Sequence, residues 1–197
     1  MESRVRAHYP NQLLEKHTLP NIYIADYTEQ TRLLPVKRGV ECHVSKPTDI
    51  EFFTVKNPNC VEVVFAPFDN STFVDPISRT PLTQCECVLF PTPSIADSWV
   101  LFLELKYNEP KNNSKNIKKA KGQVVETLKY YWDKGIVTRT NKIFLVVSIP
   151  KDSIPFKGFT VTMAESTALK RVYNATIYGA LEVEVESNTI LKVLPTT

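Results

Sequence analysis

Hydrophobic residues in the middle of the chain form three runs that predict β-strands. The runs occupy 61–65, 84–90 and 99–107, and segments rich in proline and asparagine separate them. Only the loop 91–98 lies between the second run and the third. Because strands joined by a short loop usually pair antiparallel, these two runs predict a hairpin.

A helical periodicity replaces this pattern after the third run. Hydrophobic side chains recur at spacings of three and four and predict one buried stripe, formed by Ile117, Ala120, Val124, Leu128, Tyr131 and Trp132. Gly135 lies just beyond this helix, where a glycine often ends one. The run 142–148 is hydrophobic almost throughout, which is typical of a strand buried on both faces. A second helix is predicted over 162–173, and a hairpin over 180–185 and 189–194.

Residues 1–58 are polar and interrupted by prolines, and their pattern is less regular. A short helix is predicted over 11–16, a strand over 22–25, and the start of another helix within 48–55. Together with the later elements, this order predicts an α/β fold with a mixed sheet. No linker divides the chain, so a single domain over 1–197 is expected.

The composition excludes some classes of protein but does not indicate a single function. Hydrophobic residues make up 43% of the chain, an ordinary share for a globular protein, and the net charge of +3 is compatible with a polyanionic partner. No hydrophobic run could act as a signal peptide or cross a bilayer, so an intracellular, cytoplasmic protein without a membrane partner is expected. Cys85 and Cys87 lack metal-ligand spacing and are predicted to be core residues on one face of a strand.

Charged side chains on the predicted hairpin give the first indication of chemistry. Alternation along the strand puts Glu104 and Lys106 on one face. With the hairpin centred near Ile95, Glu86 lies across from Glu104. Two facing carboxylates destabilise a sheet unless a cation lies between them. Such oxygen ligands suit Mg²⁺ or Mn²⁺, and a nearby lysine can orient a water that attacks a phosphate.

The same residues resemble the motif of the PD-(D/E)XK nuclease superfamily, in which an acid on one strand is followed by Asp/Glu-x-Lys on the next. The matching residues are Glu86 and Glu104-Leu105-Lys106. The resemblance covers 48–148 and implies an αβββαβ restriction-endonuclease-like core with a mixed sheet. Additional β elements would lie N-terminal to this core and, after a helix, within 162–194.

The resemblance implies a metal-dependent nuclease, a hydrolase that cleaves the phosphodiester bonds of a nucleic acid, with DNA favoured. Glu86 and Glu104 would bind Mg²⁺ or Mn²⁺, and the backbone carbonyl of Leu105 would complete the site. Lys106 would assist the attacking water. Many enzymes of this superfamily act as dimers, so a homodimer is a further expectation.

Two positions extend or modify this set of site residues. The superfamily usually has Asp at the first acidic position, and Glu86 is one methylene longer. Asp75, in a loop that can fold over the hairpin, is therefore an alternate metal ligand. Some members carry a glutamine in the helix after the motif, which makes Gln123 a further candidate catalytic residue.

A group of lysines directly follows the motif. They form either the solvated face of an amphipathic helix or a set of contacts to a phosphate backbone. On the second interpretation the nucleic-acid-binding residues are Lys111, Lys115, Lys118, Lys119 and Lys121.

Two other functions are compatible with these residues. A relative of the nucleases that has lost catalysis would bind nucleic acid or protein without cutting, and the glutamate at position 86 motivates this alternative. In the other, Glu86, Glu104 and Lys106 form only a structural ion network in an unrelated α/β protein.

Overall fold

Two mixed β-sheets stack face to face, and helices cover the outer face of the larger one. The computed structural model describes residues 1–69, 71–107, 113–151, 156 and 159–194. Within these residues the helices are α1 (Glu2–His8), α2 (Thr28–Thr31), α3 (Asn113–Asp133) and α4 (Met163–Tyr173). The protein is therefore a mixed α/β protein, as the sequence predicts at that level.

The larger sheet has six strands in the order β1-β5-β6-β7-β8-β9. Their bounds are β1 Glu15–His17, β5 Val63–Pro67, β6 Cys87–Pro91, β7 Trp99–Leu105, β8 Lys142–Ser148 and β9 Ala175–Gly179. The pairs β7–β8 and β8–β9 are parallel, and the others are antiparallel. Helix α3 lies between β7 and β8 in the chain and packs on both, so it forms the crossover between two parallel strands.

The smaller sheet has five strands in the order β11-β10-β4-β2-β3. Their bounds are β2 Asn21–Asp26, β3 Val40–His43, β4 Phe53–Lys56, β10 Glu182–Ser187 and β11 Ile190–Val193. Only β4 and β10 run parallel. Strands from both ends of the chain therefore build this sheet together.

Side chains on the two faces of the six-stranded sheet belong to two separate hydrophobic clusters. Phe102 packs with Val5 of α1 and Leu128 of α3 on the helical face. Leu103 packs with Phe53 and other residues of the smaller sheet on the opposite face. Because β7 is buried on both faces, its hydrophobic residues are nearly continuous.

The structure confirms most of the predicted elements in the second half of the chain. Strand β8 has the predicted bounds, and α4 begins after Thr162, whose hydroxyl caps the helix by accepting from the Glu165 backbone N–H. Helix α3 ends before Gly135, which has a φ of 64° that a glycine adopts without strain. The C-terminal hairpin is present as β10–β11.

Two helices predicted in the first half of the chain are wrong. Residues 11–14 lead into β1, which contains residues 15–16, and 48–52 lead into β4, which contains 53–55. Strand β4 lies between β2 and β10, so its backbone groups find partners on both sides and pairing overrides the local pattern. Helix α1 was not predicted, because Val5 is its only fully buried residue.

The cysteines at 85 and 87 do not share a face, contrary to the prediction. Cys85 belongs to the cluster under the helices and Cys87 to the cluster between the sheets. Cys87 pairs with Leu103, yet the Glu86 N–H also donates to the Leu103 carbonyl at 3.0 Å. Two successive residues thus face one, which is the arrangement of a β-bulge and reverses the alternation of side chains.

Candidate active site at the end of the six-stranded sheet

A cleft of about 970 Å³ opens where β6 begins and β7 ends. One wall comes from the hairpin and from α3, and it includes Glu86, Lys106, Lys119 and Gln123. The other wall comes from the smaller sheet and the segment between β2 and β3, and it includes Asp26, Lys37 and Arg38. The motif residues therefore face a part of the chain that lies far from them in sequence.

Glu104 lies beneath this cleft and has no exposed surface. The Lys106 ammonium contacts its Oε1 in an ion pair, but neither carboxylate oxygen accepts a well-aligned hydrogen bond from the described residues. Burial raises the pKa of Glu104 to about 7, although Lys106 opposes the shift. A buried carboxylate with so few partners has capacity for a further ligand.

Glu86 borders the cleft and lies in the field of Glu104. The predicted register of the hairpin is confirmed by the pair Cys87–Leu103, but the bulge at Glu86 replaces a direct pairing with Glu104. Burial raises the pKa of Glu86 well above its usual range, and the charge of Glu104 adds to this effect. Protein thus surrounds the carboxyl, although the residue is partly exposed. Two such acids ionise together only when a cation compensates them.

Asp26 is a third acid at the cleft, and sequence reasoning missed it. It ends β2, and its charge raises the pKa of both Glu86 and Glu104. The Tyr107 hydroxyl accepts a hydrogen bond from the Asp26 N–H at 3.2 Å and donates to the Glu51 carbonyl at 2.8 Å. Tyr107 thus joins the end of β7 to the smaller sheet. Only the pairing of distant strands brings Asp26 here, so no local pattern indicated it.

Two side chains of α3 hold the chain just before Glu86. The Gln123 amide donates to the Gln84 carbonyl at 2.8 Å, and its own oxygen is buried without a partner among the described residues. The Thr127 hydroxyl accepts from the Cys85 N–H at 2.8 Å. Gln123 therefore lies at the cleft, as predicted, and it also fixes the backbone that carries Glu86.

The lysines after the motif occupy different environments. Lys119 lines the cleft, and Lys115 and Lys118 are exposed on the same helix. Lys121 instead donates to the Thr160 carbonyl at 3.0 Å and forms an ion pair with Glu165 at 3.2 Å, so it ties α3 to the start of α4. Lys111 lies outside the described residues.

The remaining predicted ligands differ in their position relative to the cleft. Leu105 borders the cleft. It lies beyond Cys87–Leu103, the residue pair at that end of the β6–β7 ladder. Asp75 does not border the cleft, and its carboxylate accepts hydrogen bonds from the backbone of Ile77 and Ser78 in its own loop. These bonds lower the pKa of Asp75.

No group of three or more His, Cys, Asp or Glu side chains in the described part of the chain could hold a metal ion. Mg²⁺, however, is commonly bound by only one or two carboxylates together with water and substrate phosphates. Glu86 and Glu104 are ligands of that chemical type, and the oxygens of Glu104 lack hydrogen-bond partners among the described residues.

Comparisons with protein-family models, with curated proteins and with solved structures found no match to this chain. In the residues that the structure covers, no helix has both the length and the hydrophobicity needed to cross a membrane.

Proposed function

We propose that this protein is a metal-dependent nuclease of the PD-(D/E)XK type that hydrolyses phosphodiester bonds of a nucleic acid, with DNA favoured. The observation that carries the proposal is that Glu86 and Lys106 line one cleft, and that Glu104, buried beneath it, pairs with Lys106 and raises the pKa of Glu86. Such an arrangement is costly in a core and is expected where a cation and a phosphate bind.

The order of strands supports this proposal. Strands β5, β6, β7 and β8 lie side by side, the first three antiparallel and the last parallel to β7 across the α3 crossover. Helix α1 contributes Val5 to the same cluster as α3. Thus α1, rather than the segment at 48–55, would supply the first helix of an αβββαβ core, and the smaller sheet is an addition to it.

Each residue of the site has a defined part in the proposed reaction. Glu86, Glu104 and the Leu105 carbonyl would hold Mg²⁺ or Mn²⁺, which supplies Lewis acidity at the scissile phosphate. Lys106 would orient the attacking water, and Gln123 keeps Glu86 in place through the Gln84 backbone. Lys119 lies on the cleft wall, where its charge can attract a phosphate.

Incubation with single-stranded, double-stranded and branched DNA and RNA, in Mg²⁺ or Mn²⁺, tests the proposal. We expect cleavage by the wild-type protein, and a loss of about a hundredfold or more in Glu104→Gln and Lys106→Ala. Glu182→Gln, on the partly exposed face of the smaller sheet, is the matched control and should cleave normally. If the wild-type protein leaves every substrate intact, and a folded Lys106→Ala variant is equally inactive, the enzymatic proposal is refuted.

Binding without cleavage is a second candidate function, and the burial of Glu104 favours it. The carboxylate has no exposed surface, and the Lys106 ammonium already neutralises it. This candidate predicts nucleic-acid binding that weakens with salt and does not change when EDTA removes divalent cations. Calorimetric detection of a Mg²⁺ site that Glu104→Gln abolishes would exclude it.

A further inference from the structure

A short loop beside the cleft exposes hydrophobic side chains to solvent. It connects α2 to β3, and its apolar tip consists of Leu33, Leu34, Pro35 and Val36. The exposed fractions are 88% for Leu33, 53% for Leu34 and 76% for Val36. Contiguous exposed hydrophobic residues of this kind usually mark a binding surface.

Contacts of Thr31 and Arg38 close the base of this loop. The Thr31 hydroxyl is buried and accepts a hydrogen bond from the Arg38 N–H at 2.8 Å, which closes the loop across its two ends. The Arg38 guanidinium stacks 3.4 Å from the centre of the Tyr27 ring and donates to the Glu41 carboxylate at 2.7 Å. The exposed tip therefore lies on a loop whose two ends are joined by hydrogen bonds.

The surroundings of the tip indicate what it contacts. Arg32 precedes it and Lys37 follows it, and Lys37 lines the same cleft as Glu86 and Lys119. Arg32 pairs with Glu29 at 3.6 Å, so Lys37 is the flanking cation that a polyanion in the cleft would contact, and the apolar tip directly precedes Lys37 in the chain. Leucine and proline are among the side chains that other DNA-binding proteins insert between base steps.

We propose that the apolar tip is a wedge that enters the base stack of the nucleic acid held in the cleft. This inference rests on the proposed function, because it requires a nucleic acid in that cleft. The wedge would unstack bases close to the scissile phosphate, so the preferred substrate is a duplex or junction that deforms easily at the cut site.

A fluorescent base analogue tests this inference with the full-length chain. A DNA duplex and a forked duplex carry 2-aminopurine, and Ca²⁺ replaces Mg²⁺ to limit cleavage. We expect the wild-type protein to raise the fluorescence, because unstacked 2-aminopurine emits more strongly. The variant Leu33→Ser/Leu34→Ser/Val36→Ser should lose this rise and bind about tenfold more weakly.

Ile77→Ser provides the matched control, since Ile77 is 92% exposed in a different loop that does not border the cleft. It should behave as the wild type does. If the triple variant unstacks bases and binds as the wild type does, the wedge is refuted. The wedge is also refuted if the triple variant instead loses only self-association or binding to lipid vesicles. Failure of every form to bind or cut any nucleic acid would remove the proposed function itself, whereas cleavage without unstacking removes the wedge alone.

Discussion

Two hairpins of this protein carry glutamates among hydrophobic residues. The glutamates of one hairpin reach the solvent, whereas Glu104 of the other is buried. On β10–β11 the acids lie on an exposed face, where Glu182 pairs with Lys56 at 2.9 Å and Glu186 with Lys192. On β6–β7 Glu104 is fully buried, and its partner Lys106 is itself mostly buried.

The difference shows that an acid-lysine pair on a strand indicates a functional site only when its burial is also known. Exposed pairs contribute about 1 kcal/mol or less, and they need no functional explanation. A buried pair that leaves carboxylate oxygens without hydrogen bonds has a desolvation cost that the Coulomb attraction repays only in part. Three measurements test this contrast.

Loss of the lysine should have the largest effect. Lys106→Met leaves a buried carboxylate without its ion-pair partner, and we expect the free energy of unfolding to fall by about 3 kcal/mol near pH 8. Lys192→Met, on the exposed hairpin, should cost less than about 1 kcal/mol. Urea denaturation of both variants measures the difference. Equal effects would mean that the two hairpins do not differ in the way described.

The pH dependence of stability should be the next largest effect. Burial raises the pKa of Glu104 from 4.5 to about 7, so the folded protein binds this proton more tightly than the unfolded chain does. The resulting stabilisation is complete below the unfolded pKa and is lost as the pH rises through 7. We therefore expect the free energy of unfolding to fall by about 3 kcal/mol between about pH 5 and pH 8.

Urea denaturation of Glu104→Gln and Glu184→Gln at both pH values measures this effect. The first variant should lose the part of the dependence that Glu104 contributes, because an amide does not ionise, while Glu86, whose pKa is also raised, keeps its own part. Glu184 faces Lys56 on β4 and Lys192 on β11, so the second variant should retain it. The same pH dependence in both variants would contradict a raised pKa at Glu104.

Divalent cations should produce the smallest of the three effects. At a concentration about ten times its Kd, Mg²⁺ is expected to raise the melting temperature by about 4 °C near pH 8, where both acids can lose their protons to it. Scanning fluorimetry with and without Mg²⁺ measures the shift. Glu86→Gln should abolish it and Glu182→Gln should not. A shift that survives Glu86→Gln would place the cation elsewhere.

The part of the fold that could be predicted from the sequence is the set of strands that are buried along their whole length. Strand β8 has the predicted bounds because its hydrophobic run has no polar interruption. The hairpin register was also predicted, since the short loop 91–98, centred near Ile95, sets which residues of the two strands face each other. These features depend on local patterns, which a single sequence contains.

The rest of the site depends on contacts between distant segments. Asp26 reaches the cleft through the pairing of β2 with β4 and through the Tyr107 hydroxyl, and neither contact leaves a local signal. The bulge at Glu86 arises where Gln123 and Thr127 hold the preceding backbone. A motif search therefore finds one wall of the cleft and misses the other.

The bridge made by Tyr107 has a consequence for how this protein can be divided. A fragment that begins at β5 would keep the whole motif, but it would lose β2, β3 and β4 and uncover the hydrophobic face that Leu103 shares with Phe53. Tyr107 would lose the Asp26 N–H and the Glu51 carbonyl, its two hydrogen-bond partners. The motif and the N-terminal strands thus form one inseparable unit, and the smallest chain that retains the cleft includes both.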